Sequence, residues 1–263
     1  MPFLCRQTGF LPQRGNMPDL RPIGPLPRPA ACGKTGQSFN SHAEGPQMSA
    51  YSARRVMMVD TQVRPQDVTK FPIIEAMLSV PREVYVPADK REAAYVGENV
   101  ALGGDRVLLE ARTLAKMLDA LDLQPTDVVL DLGCGLGYSA AVIARMVEAV
   151  VAVEAEPMAT EAQRILAAEG VDNAAVVAGD LAEGCAKCGP YDVITLQGGV
   201  EVLPEAIAAQ LKEGGRVAAL FMDGPLGAVK IGHKSGGKLV WRFAFNAAAP
   251  VLQGFSARHE FAL

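Results

Sequence analysis

The chain has 263 residues, 49% apolar and 21% charged, with a formal net charge of −4. That length suits one substantial core with at most a small appendage. The acidic balance offers no general pull toward nucleic acid or an anionic membrane, and no apolar run reaches the ~18 residues that a membrane helix needs.

Residues 1–47 hold eight prolines and six glycines, with five Lys/Arg against two acids and no helical or strand period. Such a stretch cannot bury enough apolar surface to offset its ordering entropy. It also lacks the continuous apolar region of a secretory signal. A disordered tail is expected, or an upstream extension with the natural beginning at Met48 or Met57. Residues 48–121 read as a helical subdomain that covers the site. In it Ile73–Leu78 forms an amphipathic turn ended by Pro81, and Thr113–Leu121 has helix spacing.

From residue 122 to 263 strand and helix alternate. Strands are expected near 128–132, 150–154, 174–178, 192–196 and 216–222, with helices near 138–147, 158–169 and 204–211. Lys212-Glu213-Gly214-Gly215 reads as the glycine cap that closes the last helix. Alternation of this kind implies right-handed crossovers and an α/β, doubly wound, mostly parallel sheet. A period-2 pair, 228–233 and 239–246, turned by Ser235-Gly236-Gly237, adds an antiparallel C-terminal edge hairpin and brings the sheet to seven strands.

The chemistry concentrates where the first strand of that domain ends. Val128-Val129-Leu130-Asp131-Leu132 runs into Gly133-Cys134-Gly135-Leu136-Gly137 and then a helix. Glycines at a strand-to-helix turn let the backbone reverse and let a ligand approach bare main chain. Glu154 closes the second apolar run, 21 positions after Gly133. That is about the offset at which a carboxylate meets ribose hydroxyls. Asp180 closes the third, where it can accept from an adenine amino group. A dinucleotide site wants G-x-G-x-x-G to receive a pyrophosphate. Here the third glycine comes one residue early and Asp131 stands beside the turn. A carboxylate there repels a pyrophosphate and suits the ammonium of a methionine-like tail. S-adenosylmethionine (SAM) is therefore the expected cofactor, in preference to NAD.

Two further pieces carry a resemblance. Met77-Leu78-Ser79-Val80-Pro81-Arg82-Glu83-Val84-Tyr85-Val86-Pro87 with Ala94-Tyr95, and Gly189-Pro190-Tyr191-Asp192-Val193-Ile194, resemble protein-L-isoaspartate O-methyltransferases, a class I SAM-dependent family. So do Leu203-Pro204 and Gln210–Arg216, and the similarity runs from about Met58 to the C-terminus. The resemblance implies a seven-stranded Rossmann-like methyltransferase sheet. It implies that Glu154 holds the ribose hydroxyls, that Asp180 and Leu181 hold the adenine, and that Gly133, Gly135 and Gly137 face the methionine end. It also implies a protein or peptide partner carrying isoaspartyl residues, a repair role, a cytoplasmic monomer, and no nucleic acid or membrane partner.

One stretch departs from the family. Its loop of the form G-Q-T-I-S-x-P corresponds here to Asp105-Arg106-Val107-Leu108-Leu109-Glu110-Ala111. Val107 stands for the threonine, Leu109 for the serine and Ala111 for the proline. Leucine cannot donate a hydrogen bond to an acceptor's carboxylate. Arg106 or Arg112 offers charge instead. Two alternatives therefore stand beside isoaspartyl methylation: a SAM-binding sensor or scaffold without that activity, or a methyltransferase for another acceptor. No catalytic residue is assigned, since a carboxylate needs no base at neutral pH.

The remaining features read as structural. Five cysteines at irregular spacing do not make a disulfide framework. Cys185-Ala186-Lys187-Cys188 lacks the second pair that zinc normally needs, and two reduced surface thiols are expected there. Cys134 reads as a packing residue. Trp241 and Phe243 read as one face of an edge strand, and His233 and His259 as surface residues. No metal site is expected.

Overall fold

Each central strand is a short apolar run with no polar face, which only a sheet covered on both sides can bury. The computed structural model describes residues 50–257, so the expectation for residues 1–47 lies outside the described residues. Helix α1 (Ala50–Met58) continues through a wide turn at Val59–Val63 and a tight one at Arg64–Gln66. Helix α2 (Phe71–Ser79) starts with Pro72 in its first turn and stops just before Pro81, as proline chemistry demands. Single turns at Arg82–Tyr85 and Ala88–Ala93 follow. A two-stranded hairpin comes next, β1 (Val100–Gly103) and β2 (Arg106–Leu108), and then α3 (Ala111–Leu121). On α3 the residues Leu114, Met117, Leu118 and Leu121 make one fully buried stripe.

The main sheet holds β3 (Val128–Leu132), β4 (Ala149–Glu154), β5 (Ala174–Ala178), β6 (Tyr191–Val200), β7 (Leu211–Asp223), β8 (Leu226–Ser235) and β9 (Lys238–Asn246). Their order is β5-β4-β3-β6-β7-β8-β9, parallel from β5 to β7 and antiparallel from β7 to β9. Crossovers run through α4 (Tyr138–Ala144), α5 (Met158–Ala168) and α6 (Glu205–Ala209). The expected seven-stranded doubly wound sheet with its antiparallel edge is present. Residues alternate between two cores: Val129, Val193 and Ala218 face α1–α5, while Leu130, Ile194 and Val217 face α6 and Leu252–Phe255. The chain winds outward from β3 to β5 and then returns to β6 on the other side of β3. A cavity opens to one side of that reversal, over the ends of β4 and β5.

Two local expectations are corrected. The helix expected over 204–211 is only Glu205–Ala209, and Lys212–Gly215 belongs to β7 rather than to a glycine cap. The Lys234 ammonium, reaching across from β8, donates to the carbonyls of Ala208 (2.9 Å) and Leu211 (2.7 Å). A cation thus takes over the capping that the glycines were expected to give. Glu213 accepts from the amides of Gly236 and Gly237, and Lys212 pairs with Asp192 at 2.8 Å, so this stretch is tied to its neighbours as strand. The second correction is the β1–β2 hairpin inside a stretch read as helices and links. Its turn, Gly104-Asp105, has φ of 56° and 59°, the left-handed pair of a tight hairpin.

Candidate cofactor site

The glycine turn follows directly from the ends of β3 and β4. The Gly133 amide donates to the Val153 carbonyl at 2.8 Å, and that of Gly137 donates to the Cys134 carbonyl at 2.9 Å. Gly133, Gly135 and Gly137 have φ of 76°, 59° and 99°, a region that side chains resist, which accounts for all three.

Asp131 lies beneath this turn at 0% exposure. Its carboxylate accepts from Ser139 Oγ (2.5 Å), Thr195 Oγ1 (2.7 Å) and Gln197 Nε2 (2.7 Å), clipping β3, α4 and β6 together. Burial pushes its pKa above the ordinary carboxylate value; these three donors oppose the rise and the nearby Glu154 charge adds to it.

Glu154 is the last residue of β4 and 1% exposed. Its Oε2 accepts from the Gly135 amide at 2.7 Å, and its Oε1 from the Ala155 amide at 3.0 Å. The same Oε2 accepts from Arg106 Nη2 at 2.7 Å, although 48 positions separate the two residues. Asp180 is exposed just past β5 and folds its own turn, with Oδ1 accepting from the Ala182 amide at 2.9 Å. Leu181 beside it is buried.

Glu154, Asp180 and Leu181 line a cavity of about 770 Å³, closed by Leu102–Arg106 on one side and Val251–Gln253 on another. That volume lies within the usual range for small-molecule sites, ~300–1,000 Å³. Asp131 and the three glycines, expected at the same ligand, do not line it. All four are buried, and hairpin side chains lie over two of the glycines. A Cβ built on Gly133 would collide with Arg106 Nη2, and one on Gly135 would lie 2.5 Å from Leu102 Cδ1. The cavity thus has a carboxylate, that of Glu154, at its back. The turn that would face the methionine end lies beneath Arg106 and Leu102.

The Val80-Pro81-Arg82 signature has a mechanical explanation. Arg82 is 0% exposed and donates through Nε to the Ala94 carbonyl (2.6 Å) and through Nη2 to the Leu109 carbonyl (2.7 Å). Its guanidinium also lies 4.8 Å from the centre of the Tyr138 ring, at the start of α4. Arg82 thereby fixes the base of the hairpin against the helix that follows the glycines. Leu109 is 2% exposed, so the side chain at the position compared with the family's serine belongs to the core. Both arginines considered for an acceptor carboxylate already hold an acid: Arg106 holds Glu154, and Arg112 holds Glu110 at 2.8 Å.

Sequence reasoning missed Arg106, Ser139, Thr195 and Gln197 as partners of the two buried acids. Only Ser139, eight residues after Asp131 and on the helix behind the turn, left a local signal. Cys185 and Cys188 are free thiols with sulfurs 2.9 Å apart in a single turn, and Cys134 is buried. Among the described residues no group of three or more His, Cys, Asp or Glu is placed to hold a metal, and no helix is long and apolar enough to cross a membrane.

Comparison with known proteins points to one family. The family model described as protein-L-isoaspartate(D-aspartate) O-methyltransferase matches residues 54–238. A protein-L-isoaspartate O-methyltransferase of Koribacter versatilis is 31% identical over 75% of this chain and 89% of its own length. That of Syntrophus aciditrophicus is 34% identical over 65% of this chain and 78% of its own. A solved protein-L-isoaspartate O-methyltransferase superposes with a TM-score of 0.66 at 25% identity, over 78% of this chain and 66% of its own. A Plasmodium falciparum structure described as a putative enzyme of this kind, in complex with S-adenosyl-L-homocysteine, gives 0.65 at 17% identity, over 77% and 98%, and shows the shared fold.

Proposed function

Since the chain belongs to the protein-L-isoaspartate O-methyltransferase family, we propose that it uses SAM to methylate the carboxylate of isoaspartyl residues in proteins. The observation that carries this reading is Glu154. It is a buried carboxylate held by two backbone amides at the end of β4, at the back of a cavity of about 770 Å³. Glu154 is assigned to the ribose hydroxyls, and Asp180 with Leu181 to the adenine. Gly133, Gly135 and Gly137, above the buried Asp131, are assigned to the methionine end.

The cofactor brings a methyl group already activated by a sulfonium, so the protein's task is alignment and exclusion of water. The acceptor carboxylate, with a pKa of ~4, is ionised at neutral pH and needs no base. Held by Glu154, Asp180 and Leu181 at its nucleoside end, the cofactor would supply a methyl group to one carboxylate oxygen, with the electron pair of the broken carbon–sulfur bond left on sulfur. A methyl ester and S-adenosylhomocysteine (SAH) would be the products, with no proton transfer required. The apolar walls at Leu102 and Leu181 exclude water, while the Asp131 clip keeps the glycine turn rigid. A cytoplasmic monomer with no nucleic-acid partner is part of the same proposal; free thiols at Cys134, Cys185 and Cys188 suit a reducing compartment.

The test is transfer of labelled methyl from SAM to a peptide containing isoaspartate, against the same peptide with ordinary aspartate. Label on the isoaspartyl peptide alone is the expected result. SAH binding without labelling of either peptide would remove the repair activity and leave the cofactor site. Buried Leu109, with Val107 beside it, supports a second reading in which the acceptor is a different carboxylate or the site only binds. A labelling screen of cell lysate separates these, by showing labelled small metabolites or none.

A further inference from the structure

We propose that Arg106 is an internal competitor for the cofactor, a cationic side chain that occupies the carboxylate and the glycine face the ligand needs and so sets its affinity. The inference rests on the cofactor reading above and concerns how that site is filled. Three independent pieces of geometry carry it.

The first is the ion pair. Arg106 Nη2 sits 2.7 Å from Glu154 Oε2, with side-chain exposures of 12% and 1%. The Gly135 amide already takes that oxygen, and the Ala155 amide takes the other. A carboxylate carrying two amides and a guanidinium has little room left for a ribose diol, so ligand and arginine compete for it.

The second is steric. Glycines expose bare backbone so that something can come close to it. At Gly133 that something is the Arg106 guanidinium, and at Gly135 it is Leu102. Both side chains come from one hairpin, so a single segment covers the turn.

The third is how that segment is held. Its base is fixed: Arg82 grips the Leu109 carbonyl, and Asn99 Oδ1 accepts from the Glu110 amide at 2.9 Å. Its tip is not. Gly103 and Gly104 have left-handed φ and nothing within 4 Å of where a Cβ would stand. Arg106 itself is under-bonded, since its buried Nε has no partner. A buried cation short of hydrogen bonds is held at a cost. The hairpin can therefore release Arg106 by moving its tip about a fixed base, giving up one ion pair and no core packing beyond Leu102.

The experiment is a calorimetric titration of the full chain with SAH, comparing wild type with Arg106→Gln, which keeps the length and removes the charge. Hydrogen exchange at residues 100–108 is followed with and without SAH. The variant is expected to bind about tenfold tighter, the equivalent of ~1.4 kcal/mol. In the wild type, SAH should speed exchange in the hairpin, because a displaced plug loses its contacts. Leu102→Ala gives a second, charge-independent readout and should also tighten binding. If circular dichroism shows Arg106→Gln unfolded, Arg106→Met takes its place. Equal or weaker binding by the variants, or slower exchange at 100–108 on binding, overturns the competitor while leaving the cofactor assignment intact. If neither wild type nor any variant binds SAH, the cofactor reading falls and the competitor falls with it.

Discussion

The cavity has two rims, and they are built by different means. The sheet rim, Glu154–Met158 and Gly179–Leu181, sits at the ends of β4 and β5, whose parallel pairing runs unbroken from Val150↔Ala174 to Glu154↔Ala178. The hairpin rim, Leu102–Arg106, reaches the same space from a segment outside that sheet. It rests there on the Arg106–Glu154 ion pair, on Leu102, and on a base anchored by Arg82 and Asn99. Moving the sheet rim means breaking a ladder. Moving the hairpin tip means breaking one ion pair and the packing of Leu102. The sheet rim supplies the carboxylates of Glu154 and Asp180, and the hairpin rim supplies the side chains that lie over Gly133 and Gly135.

The largest effect tests the sheet rim alone. Glu154→Ala removes the acceptor assigned to the ribose hydroxyls, and hydrogen bonds to a carboxylate contribute ~1.5–3 kcal/mol each. Two of them correspond to a loss of SAH affinity of roughly a thousandfold, read by calorimetry. A loss below about tenfold would mean that Glu154 serves Arg106 and the local amides, not a ligand, and the two rims would then be one structural unit.

Next comes the anchor of the hairpin rim. Arg82→Met leaves the carbonyls of Ala94 and Leu109 without their buried donor. At ~1–3 kcal/mol for each unsatisfied group, a loss of about 3 kcal/mol is expected in urea denaturation. Proteolysis within residues 100–108 should quicken more than elsewhere. Uniform loss across the chain would show that Arg82 supports the whole N-terminal half rather than the hairpin.

A smaller effect separates packing from backbone strain. Gly104→Ala and Gly135→Ala both place a Cβ at a left-handed φ, +56° and +59°, so each carries a strain of ~1–2 kcal/mol. Only at Gly135 does the new methyl meet the hairpin, at Leu102 Cδ1. The excess destabilisation of Gly135→Ala over Gly104→Ala in thermal melts is therefore the energy of that contact. No excess would mean that Leu102 swings clear, and that the hairpin covers the turn loosely.

The contrast between the rims also sorts what the sequence showed from what it hid. The places of Asp131, the three glycines and Glu154 in the fold were legible because each sits where an apolar run meets a turn. Asp180 and Leu181 followed by the same rule. The hairpin was not legible. Its strands of four and three residues are too short to show a period, and only Gly104-Asp105 between Ala101-Leu102 and Val107-Leu108 marked it. The pairing of Arg106 with Glu154 had no local trace at all, because it exists only after the N-terminal half docks on the sheet. The glycine cap misread at Lys212–Gly215 failed for the same reason: Lys234, supplied from β8, does the capping.

The smallest effect concerns the floor shared by both rims. Burial raises the Asp131 pKa in the folded state, so the native protein holds this proton more tightly than the unfolded chain does. Stability rises with pH only where the unfolded state binds more protons. Here the sign is reversed: the Asp131 contribution falls as pH rises from the unfolded value of ~4 up to the raised folded pKa, and is constant above it. Asp131→Asn removes that titration. The difference in stability between wild type and variant should shift in the variant's favour as pH goes from about 4 toward neutrality, read from urea midpoints at each pH. The variant also weakens the clip, since the amide nitrogen cannot accept from a hydroxyl as the lost carboxylate oxygen did. The donors favour the charged carboxylate and so oppose burial in the slope itself, and the slope of the difference reports the balance of burial against the three hydrogen bonds. A slope of the opposite sign would mean that the donors at Ser139, Thr195 and Gln197 outweigh burial, which makes Asp131 a pre-charged base plate beneath the glycine turn.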